Sequence, residues 1–154
     1  MQVELRTILL AEDNPRDVEL TLEALAAHNL ANNVVVVHDG VEVLEYLRRE
    51  GQYRMRRPGL PVVLMLDIKM PRMDGLEVLR EIRSDPLLKM LPVVILSSSC
   101  EESDLITSYE LGANAYVVKP VDFKEFMDAV ELLGHFWAIV NEPPIVEAYE
   151  GFDA

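Results

Sequence analysis

Five short apolar runs recur along the chain, and four of them end on a polar or charged residue. The runs are RTILLA (Arg6 to Ala11), VVVV (Val34 to Val37), VVLML (Val62 to Leu66), VVIL (Val93 to Leu96) and AYVV (Ala115 to Val118). They are short and rich in β-branched residues, and they lack the alternation of a half-solvated strand. VVLML therefore reads as a strand buried on both faces and RTILLA as a buried strand, with the other three as further short strands. Helical spacing fills the gaps between them. Asn14-Pro15 starts a helix carrying Val18, Leu22 and Leu25. Asp39-Gly40 precedes one carrying Val41, Leu44 and Leu47, and Leu76, Leu79 and Ile82 mark a third that Pro86 ends. A fourth runs around Asp104 to Leu111 and stops at Gly112. A fifth begins at Asp122, with Glu125 three residues on, and carries Phe126, Val130 and Leu133. Five strand–helix alternations predict a doubly wound α/β fold, a parallel sheet with helices on both faces.

The polar residues that end the runs are the informative ones. The first run meets Glu12-Asp13, the third Asp67, the fourth Ser97 and the fifth Lys119. Open parallel sheets bind ligands outside the carboxyl ends of their strands, so these residues are expected to converge. Three carboxylates in one small pocket repel by ~4 kcal/mol per pair at ~4 Å and an effective dielectric near 20. A hard cation removes that cost. All-oxygen ligands suit Mg²⁺, which keeps coordination positions for a phosphate; Mn²⁺ or Ca²⁺ could take the same oxygens. Lys119 offers a point charge and Ser97 a hydroxyl to phosphate oxygens. The set describes a phosphoryl-transfer site with an aspartate nucleophile.

Composition narrows the setting. The chain has 154 residues, half of them hydrophobic, which suits one domain with a real core. Its net charge of −13 argues against nucleic acid and against an anionic membrane surface. No apolar run reaches the ~18 residues a membrane helix needs. MQVELRT is no signal peptide, and the one cysteine, Cys100, fits a reducing, cytoplasmic compartment. His28, His38 and His135 lack metal-ligand spacing. The arginines around GQYRMRRPGLP, residues 51–61, read as a solvated loop or as a docking surface for an acidic partner.

In these motifs the chain resembles the receiver domain of two-component response regulators, from about Thr7 to Leu133. The motifs are Glu12-Asp13-Asn14, DIKMPRMDG from Asp67 to Gly75, Ser97, and Tyr116-Val117-Val118-Lys119-Pro120. The resemblance implies a flavodoxin-like five-stranded sheet of order 2-1-3-4-5. It implies that Asp67 accepts a phosphoryl group from a phosphohistidine of a partner histidine kinase. Asp13 and Asp67 would hold Mg²⁺ directly, Glu12 through water, and the backbone carbonyl of Lys69 would be a further ligand. Ser97 and Lys119 would bind phosphoryl oxygens, Tyr116 would turn inward as the switch, and the Lys119–Pro120 bond is often cis in this family. Glu12 and Ser97 stand where aspartate and threonine are commoner, and both keep the needed oxygen.

Residues 1–134 would form the receiver, leaving GHFWAIVNEPPIVEAYEGFDA from Gly134 with no room for a DNA-binding output domain. Residues 135–154 read as a C-terminal extension whose Phe136, Trp137, Ile139, Val140, Ile145 and Val146 would seal a homodimer with the face of the last two strand–helix units. The alternative is that the tail folds back on its own domain. The FW…VN…PP pattern (Phe136, Trp137, Val140, Asn141, Pro143, Pro144) resembles the single-domain regulators paired with bacterial phytochromes. A pseudo-receiver, which docks without taking phosphate, is one rival reading. An aspartyl-phosphate phosphatase is another, but it needs an acid two residues after the nucleophile, where this chain has Lys69. The acidic, glycine-free AEDNPRD argues against a nucleotide-binding flavodoxin-like domain.

Overall fold

The computed structural model describes residues 6–27, 33–120 and 122–144. The chain alternates β1 (Ile8–Ala11), α1 (Pro15–Ala26), β2 (Val34–Val37), α2 (Gly40–Arg48), β3 (Val63–Leu66), α3 (Gly75–Ser84), β4 (Val93–Ser97), α4 (Glu102–Glu110), β5 (Ala115–Val118) and α5 (Phe123–His135). The five strands form one parallel sheet in the order β2-β1-β3-β4-β5, as the resemblance implies. Every residue of β1, β3 and β4 is buried, whereas the edge strands β2 and β5 are partly open. Burial on both faces accounts for the apolar central runs, while β2 and β5 are as apolar in sequence but lie at the sheet's edges.

Alternate strand residues serve two separate cores. Leu9, Ala11, Leu64, Leu66, Val93 and Ile95 pack with Val43, Leu47, Val78, Leu79 and Ile82 of α2 and α3. Ile8, Leu10, Met65, Val94 and Leu96 face the other way, onto Leu25 of α1 and Phe126 and Val130 of α5. On α2 the buried stripe is Val43, Leu44, Tyr46 and Leu47; Val41 is only partly buried. The arginine-rich loop is mostly exposed and is tied to its own domain through Arg56. A 3-10 turn at Gly51–Tyr53 opens it. The Arg56 guanidinium lies 4.2 Å from the Tyr46 ring centre and donates to the carbonyls of Tyr46, Leu47, Arg57 and Gly59.

Beyond α5 the helix does not break. His135 leads directly into a π-helical turn over Phe136–Val140. The Arg6 guanidinium caps that turn, donating to the carbonyls of Ala138 at 2.9 Å and Asn141 at 3.3 Å. Ala138 is buried and Trp137 packs against the same core as α1 and α5. This part of the tail folds back on its own domain. Phe136, Ile139 and Val140 stay about half exposed. Ile145 and Val146 lie outside the described residues.

Gly75 lets the start of α3 approach the backbone beside Asp67 closely. Its amide donates to the Ile68 carbonyl at 2.7 Å, and a Cβ there would sit 2.2 Å from the Asp67 carbonyl oxygen. Alanine would gain about 1 kcal/mol in helix propensity. The backbone it meets cannot move aside, so overpacking of ~1–3 kcal/mol wins. Gly75→Ala is expected to lower the urea midpoint at unchanged slope.

Candidate functional site

The sheet brings the predicted residues together by register. Ala11 pairs with Val37 and Leu66, and Ile95 with Tyr116. The ladder continues one step past the strands. The Asp67 amide donates to Ala11 at 3.1 Å, the Glu12 amide to Val37 at 3.0 Å, and the Lys119 amide to Ser97 at 2.7 Å. The chain crosses from β2 to β3 over β1, so the strand order reverses beside β1. Glu12 and Asp67 follow β1 and β3 at the mouth of the resulting crevice.

Glu12, Asp13 and Asp67 form one acidic cluster. Each offers a carboxylate oxygen, and the three lie within 4.8 Å of one another. Glu12 and Asp67 are buried and Asp13 is exposed, which leaves an open approach. Such a hard-oxygen set fits a small divalent cation that retains water or phosphate ligands.

Lys119 is the counter-charge. Its side chain is only 8 % exposed, and its ammonium meets Glu12 in a short hydrogen bond, Asp17 at 3.0 Å and Asp67 at 3.2 Å. All three of its N–H donors are used. Burial opposes its charge, but the Glu12 bond and the Asp67 and Glu12 carboxylates outweigh this and hold the ammonium above the usual lysine range. Glu12 behaves in the opposite sense. Burial pushes its carboxyl up to about 7, further raised by Asp67 and only partly offset by Lys119. Its other oxygen accepts the Asn14 amide at 3.2 Å. On Asp67, Oδ1 accepts the Ile68 amide at 2.7 Å while Oδ2 faces Lys119.

Ser97 is fully buried and its hydroxyl accepts the Ser99 amide at 3.2 Å. Tyr116 is half-buried against the α2–α3 core, and its hydroxyl donates to the Ser99 carbonyl at 2.8 Å. Ser99 in turn donates to Asp104 of α4 at 2.6 Å. The loop after β4 is thus tied at once to β5 and to α4. Lys69 is exposed in the loop after β3, two residues beyond Asp67. A phosphatase acid has no counterpart at that position. Among the described residues no peptide bond is cis, so the Lys119–Pro120 bond is trans, unlike the frequent family form.

Comparison with known proteins agrees with this geometry. The profile of the response regulator receiver domain matches residues 8–131. The chain belongs to the response regulator receiver family. Response regulator Rcp1 of Synechocystis sp. is 37 % identical over 133 residues, covering 86 % of this chain and 88 % of Rcp1. The phosphorylated cyanobacterial phytochrome response regulator RcpA superposes with a TM-score of 0.85 at 40 % identity, over 92 % of this chain and all of that one. The bacteriophytochrome response regulator RtBRR is 56 % identical with a TM-score of 0.73, over 94 % and 87 % of the two chains. This receiver is therefore of the phytochrome-regulator type. A divalent cation is the cofactor its acidic cluster fits, and a structure of Rcp1 is a Mn²⁺-bound form. Among the described residues no helix is long and apolar enough to cross a membrane.

Sequence reasoning missed Asp17. It lies in the first turn of α1, where an acidic residue reads simply as a partner of the helix dipole. The Asn14 side chain caps that turn, accepting the amides of Arg16 and Asp17, and so brings Asp17 to Lys119.

The raised Glu12 carboxyl has a consequence for the receiver. A cation requires the charged form, whereas the metal-free site binds a proton up to about pH 7. Mg²⁺ affinity is expected to rise with pH through about 7 and then level off. Titration calorimetry in two buffers of different ionisation heat should detect roughly half a proton released per Mg²⁺ near pH 7. Affinity independent of pH between 6 and 8 would contradict it.

Proposed function

We propose that this receiver takes a phosphoryl group from a phosphohistidine of a histidine kinase onto Asp67. The observation that carries the proposal is the convergence of Asp67 with Glu12, Asp13 and Lys119 at one crevice. An Asp67 carboxylate oxygen attacks phosphorus, the P–N bond breaks with its electron pair going to nitrogen, and the imidazole, already protonated on its other ring nitrogen, leaves neutral. Asp13, Asp67 and the Lys69 carbonyl, with Glu12 through water, would hold a divalent cation, which when bound would neutralise charge at the phosphoryl oxygens. Lys119 and the Ser97 hydroxyl bind two of those oxygens. Ser97 lies two residues before Ser99, whose carbonyl anchors Tyr116. Movement of Ser97 toward the phosphoryl group would thus reach Tyr116 and α4 and change the α4–β5–α5 face. The protein catalyses its own uptake and loss of the group. It acts as a signalling switch.

The phytochrome and bacteriophytochrome regulators among its relatives support a phytochrome-type sensor kinase as donor. The lone thiol, Cys100, supports a cytoplasmic setting. Incubation with acetyl phosphate and Mg²⁺, followed by intact mass, tests the chemistry. Wild type is expected to gain one phosphoryl group and Asp67→Asn none. An unmodified wild type would sink the proposal.

The exposed Phe136, Ile139 and Val140 support the homodimer, since half-open apolar side chains on one turn mark an interaction surface. Trp137 contributes by bracing Phe136, with ring centres 5.1 Å apart and planes at 86°. Ile139→Glu should convert a dimer to a monomer in light scattering at micromolar concentration. A wild-type monomer, with and without phosphoryl group, would refute dimerisation.

A further inference from the structure

We infer that Asp17 is the positioning residue that receives Lys119 when the divalent cation enters. In this structure the Lys119 ammonium gives one N–H each to Glu12, Asp17 and Asp67. Two of those acceptors, Glu12 and Asp67, belong to the acidic cluster that fits a cation; Asp17 does not. Lys119 and the cation therefore compete for the same two carboxylates. A cation that binds must displace the ammonium from Glu12 and Asp67. The Lys119 side chain is almost wholly buried, and a buried ammonium left without a carboxylate is strongly unfavourable.

Asp17 removes that obstacle. It is 25 % exposed, and its own helix holds it in place through the Asn14 cap. The Asp17 carbonyl accepts the Thr21 hydroxyl at 2.6 Å, fixing the turn from the other side. Its bond to Lys119 can persist while the other two are exchanged. One donor then stays on Asp17, and the two that are freed face the position a phosphoryl group on Asp67 would occupy. Without the Asp17 charge the ammonium settles fully on Glu12 and Asp67, and the cation meets a closed pair. Loss of a negative charge and closure of the pair act in the same direction, against metal.

This inference rests on the reading of Glu12, Asp13 and Asp67 as the cation ligands. The test is Mg²⁺ affinity at pH 8 by titration calorimetry in four proteins: wild type, Asp17→Asn, Lys119→Met and the double variant. Asp17→Asn is expected to bind Mg²⁺ about tenfold more weakly than wild type, the scale of one lost charge-assisted hydrogen bond. In the Lys119→Met background no ammonium remains to be moved, so the same substitution should cost about twofold or less. Asp17→Glu should recover most of the affinity, and Glu19→Gln, an exposed acid on the same helix, should leave it nearly unchanged.

Equal losses in the two Lys119 backgrounds would reduce Asp17 to a general charge effect and overturn the inference. So would an Asp17→Asn protein with wild-type affinity. A wild type that binds no Mg²⁺ would instead overturn the ligand assignment beneath it. If Lys119→Met does not fold, a crystal structure of the Mg²⁺-loaded wild type decides. Lys119 Nζ within ~3 Å of Asp17 and no longer bonded to Glu12 or Asp67 supports the inference. Asp17 turned away from Lys119 contradicts it.

Discussion

A single buried ammonium among three carboxylates is the interaction around which the crevice of this protein is organised. Glu12 ends β1, Asp67 ends β3, Lys119 ends β5 and Asp17 opens α1, so one hydrogen-bonding centre joins four elements. Asp13 adds a further negative charge at the exposed rim. The cluster is over-acidic with Lys119 present. That imbalance is what a divalent cation relieves, while burial first, and the Asp67 charge second, push the Glu12 carboxyl up against the pull of Lys119. The surroundings serve to hold the charges still. Gly75 lets the α3 start close on the Asp67 backbone, and Arg72 pairs with the α2 cap Asp39 at 2.9 Å across the same loop.

From that centre a path of hydrogen bonds leads outward. Ser97 is bonded to the Ser99 amide, the Ser99 hydroxyl to Asp104 of α4, and Tyr116 of β5 to the Ser99 carbonyl. A group on Asp67 that recruits Ser97 would disturb all of these together. Packed cores respond to such shifts by changing between discrete arrangements. The exposed residues of α4 and α5, Ile106, Tyr109 and Leu132 among them, would report the change at the surface.

Much of this was legible in the sequence because parallel sheets leave strong marks. A strand buried on both faces must be apolar throughout, so the polar residue ending it stands out: Asp67 after VVLML, Lys119 after AYVV. Strand ends also have a defined common location, which made the convergence of Glu12, Asp13, Asp67, Ser97 and Lys119 predictable. Asp17 escaped because its partner is set by the rotation of a helix about its axis and lies 102 residues away. The arginine loop is mostly exposed, as a solvated loop predicts, with Arg56 the exception among its arginines. Composition shows charge, but not that Arg56 stacks on Tyr46 and caps the end of α2. In the tail, apolarity alone could not divide Trp137 and Ala138, which pack inward, from Phe136, Ile139 and Val140, which do not. The Arg6 clamp on that turn decides the division, and it joins opposite ends of the described chain.

The central claim is that Lys119 compensates a site built for a divalent cation, and urea unfolding of Lys119→Met at pH 8, with and without Mg²⁺, tests it most directly. Without metal the variant leaves buried carboxylates uncompensated, and the expected loss relative to wild type is ~3–5 kcal/mol. Saturating Mg²⁺ should close most of that gap, because the cation replaces the missing charge and binds only the folded site. A variant as stable as wild type without metal, or one that Mg²⁺ fails to restore, would contradict the account.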